Sequence, residues 1–550
     1  MSLEPGISTM RGAERSRKGC ASTVAPETRP QGLGDVSAFG NDLRATLPAL
    51  ERHKPRGPAA PRSRLRWRWI SLLLVHVVVA IHIVHWKMTG STLSPMEPSE
   101  AMQTLELGYL NAGFVLFVLL ILSTLLFGRF FCGWACHVVA YQDACAWLLG
   151  KLHIRPRPVR SRLLVFIPFG AAFYMFVWPS VKRMYQGREL PPLVNHLTTD
   201  AFWATFPGPI IAVLTFLVCG FLIVYFMGAK GFCTYGCPYG AFFGIADRVA
   251  VGKIKVTDDC NQCGHCTATC TSNVRVHEEV AKFKAVVDTG CMKCFDCVSV
   301  CPTNALYYGK SRPSLFRLSE ILRRKKRTYD FSWPEEIAMA VIFATGIYAF
   351  RGLYGVVPLL LSIGLSVILA FVAVLGWRLL RRPNFAFQHH LLRGAGRFTK
   401  AGISALAAIP LFALFAAHST FIQAHAREGK RLLVAAEQSD GAAREHSMSE
   451  SLHHLQTASS WGLVPVGSLH LEMGSILRAQ GDMAGAETEM RRALDIDPSM
   501  RTPRLELARI LTARGAYGEA HTLLEELISM DPENIEAQRG LEFLRGRLAG

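Results

Sequence analysis

CNQCGHCTATC at residues 260–270 and CMKCFDCVSVCP at residues 291–302 are the two stretches that decide the fold of the central region. In each stretch three cysteines are separated by two residues and a fourth follows after three. This spacing lets three thiolates hold one face of an iron–sulfur cubane while the fourth reaches a neighbouring cluster. Zinc is the alternative, but two complete four-cysteine runs favour clusters. We therefore predict two [4Fe–4S] clusters, one on Cys260, Cys263, Cys266 and Cys301 and one on Cys291, Cys294, Cys297 and Cys270.

The composition excludes a purely soluble protein. Of the 550 residues 50% are hydrophobic and only 19% are charged, whereas soluble domains carry about 25% charged residues. The 60 Lys and Arg against 42 Asp and Glu leave a net charge of +18, an excess that membrane proteins place in cytoplasmic loops. No nucleic-acid-binding motif accompanies this charge, so we predict no nucleic-acid partner. Most of the 15 cysteines fall in tight groups, which are typical of reduced metal ligands rather than of disulfides.

Seven apolar stretches are long enough to cross a bilayer as helices, which takes about 20 residues. They lie near 69–87, 107–127, 163–180, 208–228, 335–351, 354–377 and 401–421. The sequence thus predicts a mainly α-helical, polytopic membrane bundle of about seven spans, with an inserted α+β two-cluster domain and a C-terminal helical repeat domain. The predicted regions are a disordered basic cytoplasmic tail at 1–66, a four-helix membrane domain at 67–235, the two-cluster domain at 236–312, three further membrane helices at 313–421 and the repeats at 422–550.

Basic residues in the short loops predict the orientation of these spans. They gather in four places, at Arg62, Arg64, Arg66 and Arg68, at Arg129, Lys151, Arg155, Arg157, Arg160 and Arg162, at Arg323, Arg324, Lys325, Lys326 and Arg327, and at Arg378, Arg381, Arg382, Arg393, Arg397 and Lys400. One topology puts all of them on the cytoplasmic side. The N-terminus and the two-cluster domain are then cytoplasmic and the C-terminus is periplasmic, although Arg427, Lys430 and Arg431 argue mildly against this for the last span.

A 34-residue period marks the C-terminal region. It relates the pairs Gly481 and Gly515, Ala486 and Ala520, Leu494 and Ile528, Asp497 and Asp531, and Pro498 and Pro532. This period resembles tetratricopeptide repeats, which are stacked helix pairs whose concave surfaces bind other proteins. An unrelated helical hairpin is the alternative, and a degenerate earlier repeat is poorly supported because Ser447 stands where its glycine is expected.

FCGWACH at residues 131–137 and FCTYGCP at residues 232–238 follow the second and fourth predicted spans. Both spans run in the same direction in the predicted topology, so both cysteine pairs are expected at one membrane boundary. A four-residue spacing places two thiols about one turn apart on one helical face. We predict that Cys132, Cys136, Cys233 and Cys237 form one site that holds a metal or an additional cluster or acts as two redox dithiols. Two independent structural pairs are the alternative.

Three histidines lie in the first predicted span, where polar residues are costly and often functional. They are His76, His82 and His85. Neutral histidine pairs can ligate a b-type haem or contact a quinol, but interfacial or interhelically hydrogen-bonded histidine is the favoured interpretation. The sequence has no CxxCH motif, which argues against covalent c-type haem.

CGWxC after one span, CTYxCP after another and the two four-cysteine runs together resemble the membrane polyferredoxin family over about residues 65–310. Its members include the membrane ferredoxin subunit of periplasmic nitrate reductase systems, the nitrous-oxide reductase regulator and the cbb-type oxidase assembly ferredoxin. The chain departs from the pattern at His137, where a proline is expected, and in its last three spans and repeats. The resemblance implies a multi-pass protein of the bacterial inner membrane that transfers electrons between the quinone pool or a cytoplasmic donor and a periplasmic redox system.

Three functions are compatible with these observations. The first is electron transfer to a periplasmic redox protein that the repeats bind. The second is a maturation or regulatory factor that reduces a metal or a disulfide in a client metalloenzyme. The third is a scaffold with structural clusters and partner-binding repeats. No nucleotide-binding glycine motif accompanies the cysteines, so the clusters themselves are the predicted redox groups.

Overall fold

The computed structural model describes residue 59 and residues 65–154, 156–325, 328–388 and 390–548. Nearly all of the predicted tail at 1–66, together with Arg155, Lys326 and Arg327, lies outside the described residues. The described chain is mainly helical. Short strands pair Thr92–Leu93 with Thr198–Thr199, Tyr109–Leu110 with Val194–Asn195, and Phe385–Phe387, His390–Gly394 and Arg397–Phe398 with one another.

Among the described residues, five helices are long and apolar enough to cross a membrane. They are Arg66–Thr89, Leu164–Tyr185, Pro209–Met227, Leu359–Arg381 and Lys400–Glu437. The two other predicted spans correspond to Ala112–Phe127, which has only 16 residues, and to Trp333–Phe350, which begins with two glutamates in its first turn. Several apolar helices are therefore present, and the number of seven spans stays a prediction.

The second predicted span is shortened by a turn at its start. Gly108 adopts a left-handed φ of 80° and ends the helix Ala101–Leu107, a conformation that glycine reaches without steric cost. The side chain of Asn111 then accepts a hydrogen bond from the backbone N of Phe114 and caps the next helix. The apolar helix therefore begins at Ala112 rather than at 107.

Helix Leu359–Arg381 lies at the centre of the helical bundle. Of its most apolar window 78% of the residues are buried, against 6% in Arg66–Thr89. Its buried side chains share one core with the helices around it. Two of its neighbours contain π-helical stretches, Phe173–Val177 and Phe216–Leu222, a distortion that is frequent at functional sites.

The region with the two four-cysteine runs forms a small α+β unit, Gly252–Lys310, which we call the cysteine-rich insert. Its strands Gly252–Val256 and Leu306–Lys310 form an antiparallel pair, and its helices are His265–Thr269, Val276–Phe283 and Asp296–Ser299. The sequence places its start at 236. The structure instead packs helix Pro238–Val249 against Ala112–Phe127 and Ile167–Ala172, because its buried face includes Ala241, Phe243 and Ala246.

Helix Lys400–Glu437 runs without a break past 421, the predicted end of the last span, and through the predicted boundary of the repeat domain. It packs on Gly441–Trp461. The helices Gly467–Ala479, Met483–Ile496, Arg501–Arg514, Tyr517–Met530 and Ile535–Leu548 follow, each packed on the next. Their buried alanines and leucines form a continuous core, as stacked helical repeats require.

Candidate iron–sulfur sites

Six of the eight insert cysteines share one core, Cys260, Cys266, Cys270, Cys291, Cys297 and Cys301, and their division into the two predicted ligand sets stays a prediction. Burial, followed by the charges of Cys294, Cys291, Cys270 and Cys266, raises the pKa of Cys297 well above its ordinary value. Cys270 therefore lies beside the second run although it belongs to the first. Burial also raises the pKa of Cys266 to about 12, with smaller contributions from the charges of Cys263 and Cys260, and Cys301 is buried in the same core as Cys266 and Cys297.

The two runs share one backbone pattern. The residues that flank the second cysteine of each run adopt a left-handed conformation, Gln262 and Gly264 in the first and Lys293 and Phe295 in the second. Non-glycine residues in this region are uncommon and strained, and such strain is concentrated at functional sites. Both loops are therefore bent in the same way around their thiols, as expected for two equivalent cluster sites.

The CxxxC cysteines occupy equivalent positions in two similar segments. Cys132 lies in the short helix Phe130–Trp134 and Cys233 in the short helix Gly231–Tyr235. Cys136 and Cys237 are the N-cap residues of the next helices, His137–Lys151 and Pro238–Val249. The expectation that each pair lies on one helical face is wrong, because the helix ends between the two cysteines of each pair.

The four CxxxC thiols lie close together in the fold. Burial comes first among the causes that raise the pKa of Cys136, and the charges of Cys132, Cys233 and Cys237 follow. Burial also raises the pKa of Cys237 to about 12, while the backbone N of Gly240 opposes that rise by donating to its thiol. No three His, Cys or acidic side chains of the described residues are arranged to hold a single metal ion.

Two basic residues that the sequence analysis missed precede the CxxxC motifs. Arg129 and Lys230 each stand three residues before the first cysteine, and their exposed fractions are only 7% and 3%. Each contacts an acid that follows the other motif. The ammonium of Lys230 donates to Asp143, and the backbone N of Arg129 donates to Asp247 at 3.2 Å. Each segment thus contacts the other in an equivalent way. A basic residue three positions before the first cysteine of both motifs is the sequence signal that could have predicted these contacts.

The side-chain amide of Gln142 forms a hydrogen bond with one of these thiols. Its Nε2 donates to the Sγ of Cys233 at 2.9 Å, and its Oε1 accepts from the backbone N of Phe232 at 3.2 Å. The side chain is completely buried. A buried donor aimed at sulfur favours a negatively charged thiolate, so Gln142 stabilises charge at this site.

The first CxxxC motif lies directly against the second run of the insert. A Cβ atom added to Gly133 would stand 2.4 Å from the carbonyl oxygen of Met292 and 3.2 Å from the Cα of Cys294. The indole Nε1 of Trp134 donates to the carbonyl oxygen of Lys293 at 3.0 Å. The CxxxC thiols and the cluster loop of the insert are therefore neighbours without an intervening element.

Buried ion pairs hold the insert on the bundle. Asp247 is completely buried and accepts from the ammonium of Lys293 at 2.6 Å and from that of Lys253 at 3.0 Å. Although burial opposes its charge, these two lysines hold the pKa of Asp247 below its usual range. Arg68, from the first apolar helix, pairs with Asp296 of the insert at 3.4 Å. Breaking a buried pair of this kind typically costs about 3–5 kcal/mol, so the joint is strong.

The three histidines of the first apolar helix all form hydrogen bonds. His76 donates from Nδ1 to the carbonyl oxygen of Leu72 at 2.8 Å, and His82 donates from Nε2 to that of Leu93 at 3.1 Å. His85 shares a hydrogen bond of 3.0 Å with the hydroxyl of Thr92. All three histidines are thus hydrogen-bonded, but to their own helix or to the strand Thr92–Leu93 that follows it rather than to another helix.

Apolar helices, paired CxxxC motifs and two four-cysteine runs on an α+β insert are features of ferredoxin-type iron–sulfur proteins. A family model described as "4Fe-4S binding domain" matches residues 111–155 and 210–257, which contain the two CxxxC motifs. A second family model, described as "4Fe-4S dicluster domain", matches residues 252–302. "Tetratricopeptide repeat" matches residues 477–542. The repeat prediction is thereby confirmed.

Two relatives make the comparison specific. The methylamine utilization ferredoxin-type protein MauN of Methylorubrum extorquens is 28% identical over 250 residues, which are 42% of this chain and 83% of MauN. The ferredoxin-type protein NapH of Escherichia coli is 26% identical over 206 residues, 34% of this chain and 66% of NapH. Ferredoxin-type proteins of the MauN and NapH kind are homologues of this chain, which confirms the resemblance drawn from the cysteine motifs.

Proposed function

We propose that this protein is a membrane-bound electron carrier that passes single electrons between the cysteine-rich insert and the CxxxC thiols. The observation that carries the proposal is the direct packing of Gly133 on the segment Met292–Cys294. Two redox groups held by these residues would be separated only by the loop atoms between them. Six of the twelve cysteines are buried, Cys132, Cys233, Cys263, Cys266, Cys297 and Cys301.

The residues fit the groups that the proposal needs. The eight insert cysteines would hold two [4Fe–4S] clusters, which supply one-electron chemistry, and the four CxxxC thiols would hold a further cluster or form two dithiols. Four thiolates concentrate negative charge. Arg129 and Lys230 place buried cations beside them, and Gln142 donates to Cys233. The chain's own role is to offset that charge and to fix the thiols in place.

The end points of the electron path form the second part of the proposal. The donor is the quinone pool or a cytoplasmic reductant, and the acceptor is a periplasmic redox protein bound by the repeats. In this arrangement seven helices span a bacterial inner membrane, the insert is cytoplasmic and the C-terminus is periplasmic. The distribution of basic residues among the loops supports this orientation, and the repeat domain supports a protein partner.

The repeat domain also favours a second candidate function. Its helices provide a surface for a client protein, and the same electrons would then reduce a metal or a disulfide in that client during its maturation. Loss of the metal from a periplasmic metalloenzyme in a deletion strain, with electron transfer to purified partners unaffected, would favour this function over the first. If the clusters cannot be reduced and reoxidised at all, only a scaffold role is left.

Serine substitutions of the CxxxC cysteines test the proposal. We expect Cys132→Ser to abolish electron delivery from quinol or dithionite to an acceptor while the insert keeps its iron and its paramagnetic resonance signals. Adding Cys233→Ser should change little, because residues that share one site are not additive. Cys145→Ser, at a buried thiol outside both groups, is the matched control. Roughly additive defects with unchanged metal content would show two independent structural pairs instead.

A further inference from the structure

A deep cleft separates the start of helix Leu164–Tyr185 from the cysteine-rich insert. Its volume is about 430 Å³, within the range of about 300–1,000 Å³ that small-molecule sites occupy. Cys233 and Met292 both line it, so the cleft reaches the junction between the two redox regions. Neither cysteine set requires a cleft of this size.

The wall of the cleft is strongly basic. Six cations line it, Arg129, Arg160, Arg248, Arg275, Lys282 and Lys325, against three acids, Glu278, Glu279 and Asp288. All three acids already have partners. Glu279 and Asp288 bind Lys325, and Glu278 binds Arg275. The lining therefore carries three more positive than negative charges.

Arg129 lacks a partner at one of its donors. Its Nε is buried without a hydrogen-bond acceptor, although the side chain lines the cleft and is only 7% exposed. A buried donor without an acceptor costs about 1–3 kcal/mol. Nearby, burial and then the charge of Arg275 lower the pKa of Arg160. An anion in the cleft would offset the like charges of Arg160 and Arg275.

The rim of the cleft is apolar and exposed on two sides. On the bundle side Val165, Phe166 and Phe169 line it, and the side chain of Phe166 is 63% exposed. On the insert side the segment Ser314–Arg324 contributes Leu318 to the lining and exposes further apolar side chains at Leu315, Phe316 and Leu322. Three arginines and these apolar groups share one short segment, the composition of elements that lie in a membrane interface.

We propose that this cleft binds the phosphate-bearing head group of an anionic phospholipid. Guanidinium groups are the preferred protein partners of phosphate, and basic pockets beside membrane helices bind such head groups. The acyl chains would leave over Phe166 and Leu318 into the bilayer, which is why the lipid is favoured over a soluble phosphate compound. This inference rests on the proposed membrane location of the bundle.

Native mass spectrometry of the full protein, released from membranes in mild detergent and titrated with phosphatidylglycerol or phosphatidylcholine, tests the site. We expect one phosphatidylglycerol per chain, retained at least tenfold more tightly than phosphatidylcholine. Arg160→Gln should weaken this retention at least tenfold, and Arg248→Gln, at an exposed position of the lining, should weaken it less. Arg188→Gln, an exposed arginine outside the lining, is the control and should leave it unchanged.

Three results would overturn the inference. They are equal retention of both lipids, unchanged retention in both lining variants, and displacement of the lipid by millimolar inorganic phosphate alone, which would indicate a soluble anion. A co-purified quinone that phosphatidylglycerol fails to displace would likewise replace the lipid as ligand. Iron content measured on the same samples separates this outcome from a failure of the proposed electron transfer, because loss of lipid with full clusters concerns the cleft only.

Discussion

The cysteine-rich insert and the CxxxC region hold their cysteines in opposite ways. In the insert the eight thiols come from 42 consecutive positions, Cys260 to Cys301, and strained loops set their directions. In the CxxxC region the two pairs lie about 100 positions apart in the chain and meet only because helices of the bundle pack together. The first set is specified by local spacing, the second by tertiary structure and by buried charges.

This contrast predicts different failures. A change in the insert should remove a cluster and leave the bundle folded. A change in the charges around the CxxxC motifs should weaken the packing of the insert on the bundle while all four CxxxC cysteines remain present. The four predictions that follow probe this difference in order of decreasing effect.

Cys270→Ser is expected to have the largest effect. Cys270 belongs to the first run but lies beside Cys291, Cys294 and Cys297, so the cluster of the second run should be lost, about four of eight insert irons. Iron analysis and paramagnetic resonance of the anaerobically purified protein measure this. Cys219→Ser, at a buried thiol of the bundle, should lose no iron. Loss of the other cluster instead would contradict the exchange of ligands between runs.

Asp247→Asn is expected to detach the insert from the bundle. It leaves the buried ammonium groups of Lys253 and Lys293 without a carboxylate, at a typical cost of about 3–5 kcal/mol. Thermal unfolding in detergent and limited proteolysis between the regions measure the change. Asp258→Asn breaks only an exposed pair with Lys284 and should leave both unchanged. Equal effects of the two variants would show that the buried network does not hold the joint.

Gly133→Ala should push the two regions apart. Its Cβ would stand 2.4 Å from the carbonyl oxygen of Met292, and overpacking of this kind costs about 1–3 kcal/mol. We expect slower electron transfer from the insert to the CxxxC thiols with full iron content. Gly150→Ala meets no atom within 4 Å and serves as control. A normal transfer rate in Gly133→Ala would mean that the path does not cross this contact.

Trp134→Phe should have the smallest effect. It removes the hydrogen bond to the carbonyl oxygen of Lys293 and keeps most of the ring packing, so the free energy of unfolding should fall by about 0.5–1.5 kcal/mol. Trp86→Phe removes a comparable bond to the backbone of Asp200, far from the insert in sequence. Only the first variant should alter the resonance signal of the second cluster. Identical signals in both would assign this bond a purely structural role.

The sequence was most informative where function depends on local spacing. The four-cysteine runs and the 34-residue period each lie within a single stretch of chain, so their spacing identified them, and the family comparisons confirm both domains. The helix boundaries were harder to predict. Hydropathy marks where a chain turns polar but not where a helix ends, so it ended the last predicted span at 421 although the helix continues to Glu437.

The charged residues around the CxxxC thiols were missed for a related reason. Arg129 was interpreted only as a loop cation that reports orientation, and Lys230, Asp143 and Asp247 were not singled out. The two contacts join residues 87 and 118 positions apart, which no local pattern encodes. The meeting of the CxxxC motifs was predictable from the common direction of their spans, but not the helix break within each motif.

The continuous helix Lys400–Glu437 connects the repeat domain rigidly to the bundle rather than through a flexible linker. At 1.5 Å per residue its 38 residues extend about 57 Å. A flexible linker would allow the repeats many positions and orientations relative to the bundle, whereas a continuous helix restricts both. Helix Gly441–Trp461 folds back along this helix, and the backbone N of Leu463 donates to the hydroxyl of Tyr354 at 3.1 Å, so the repeats begin beside the bundle. A change in the arrangement of the bundle helices would therefore also move a partner bound to the repeats.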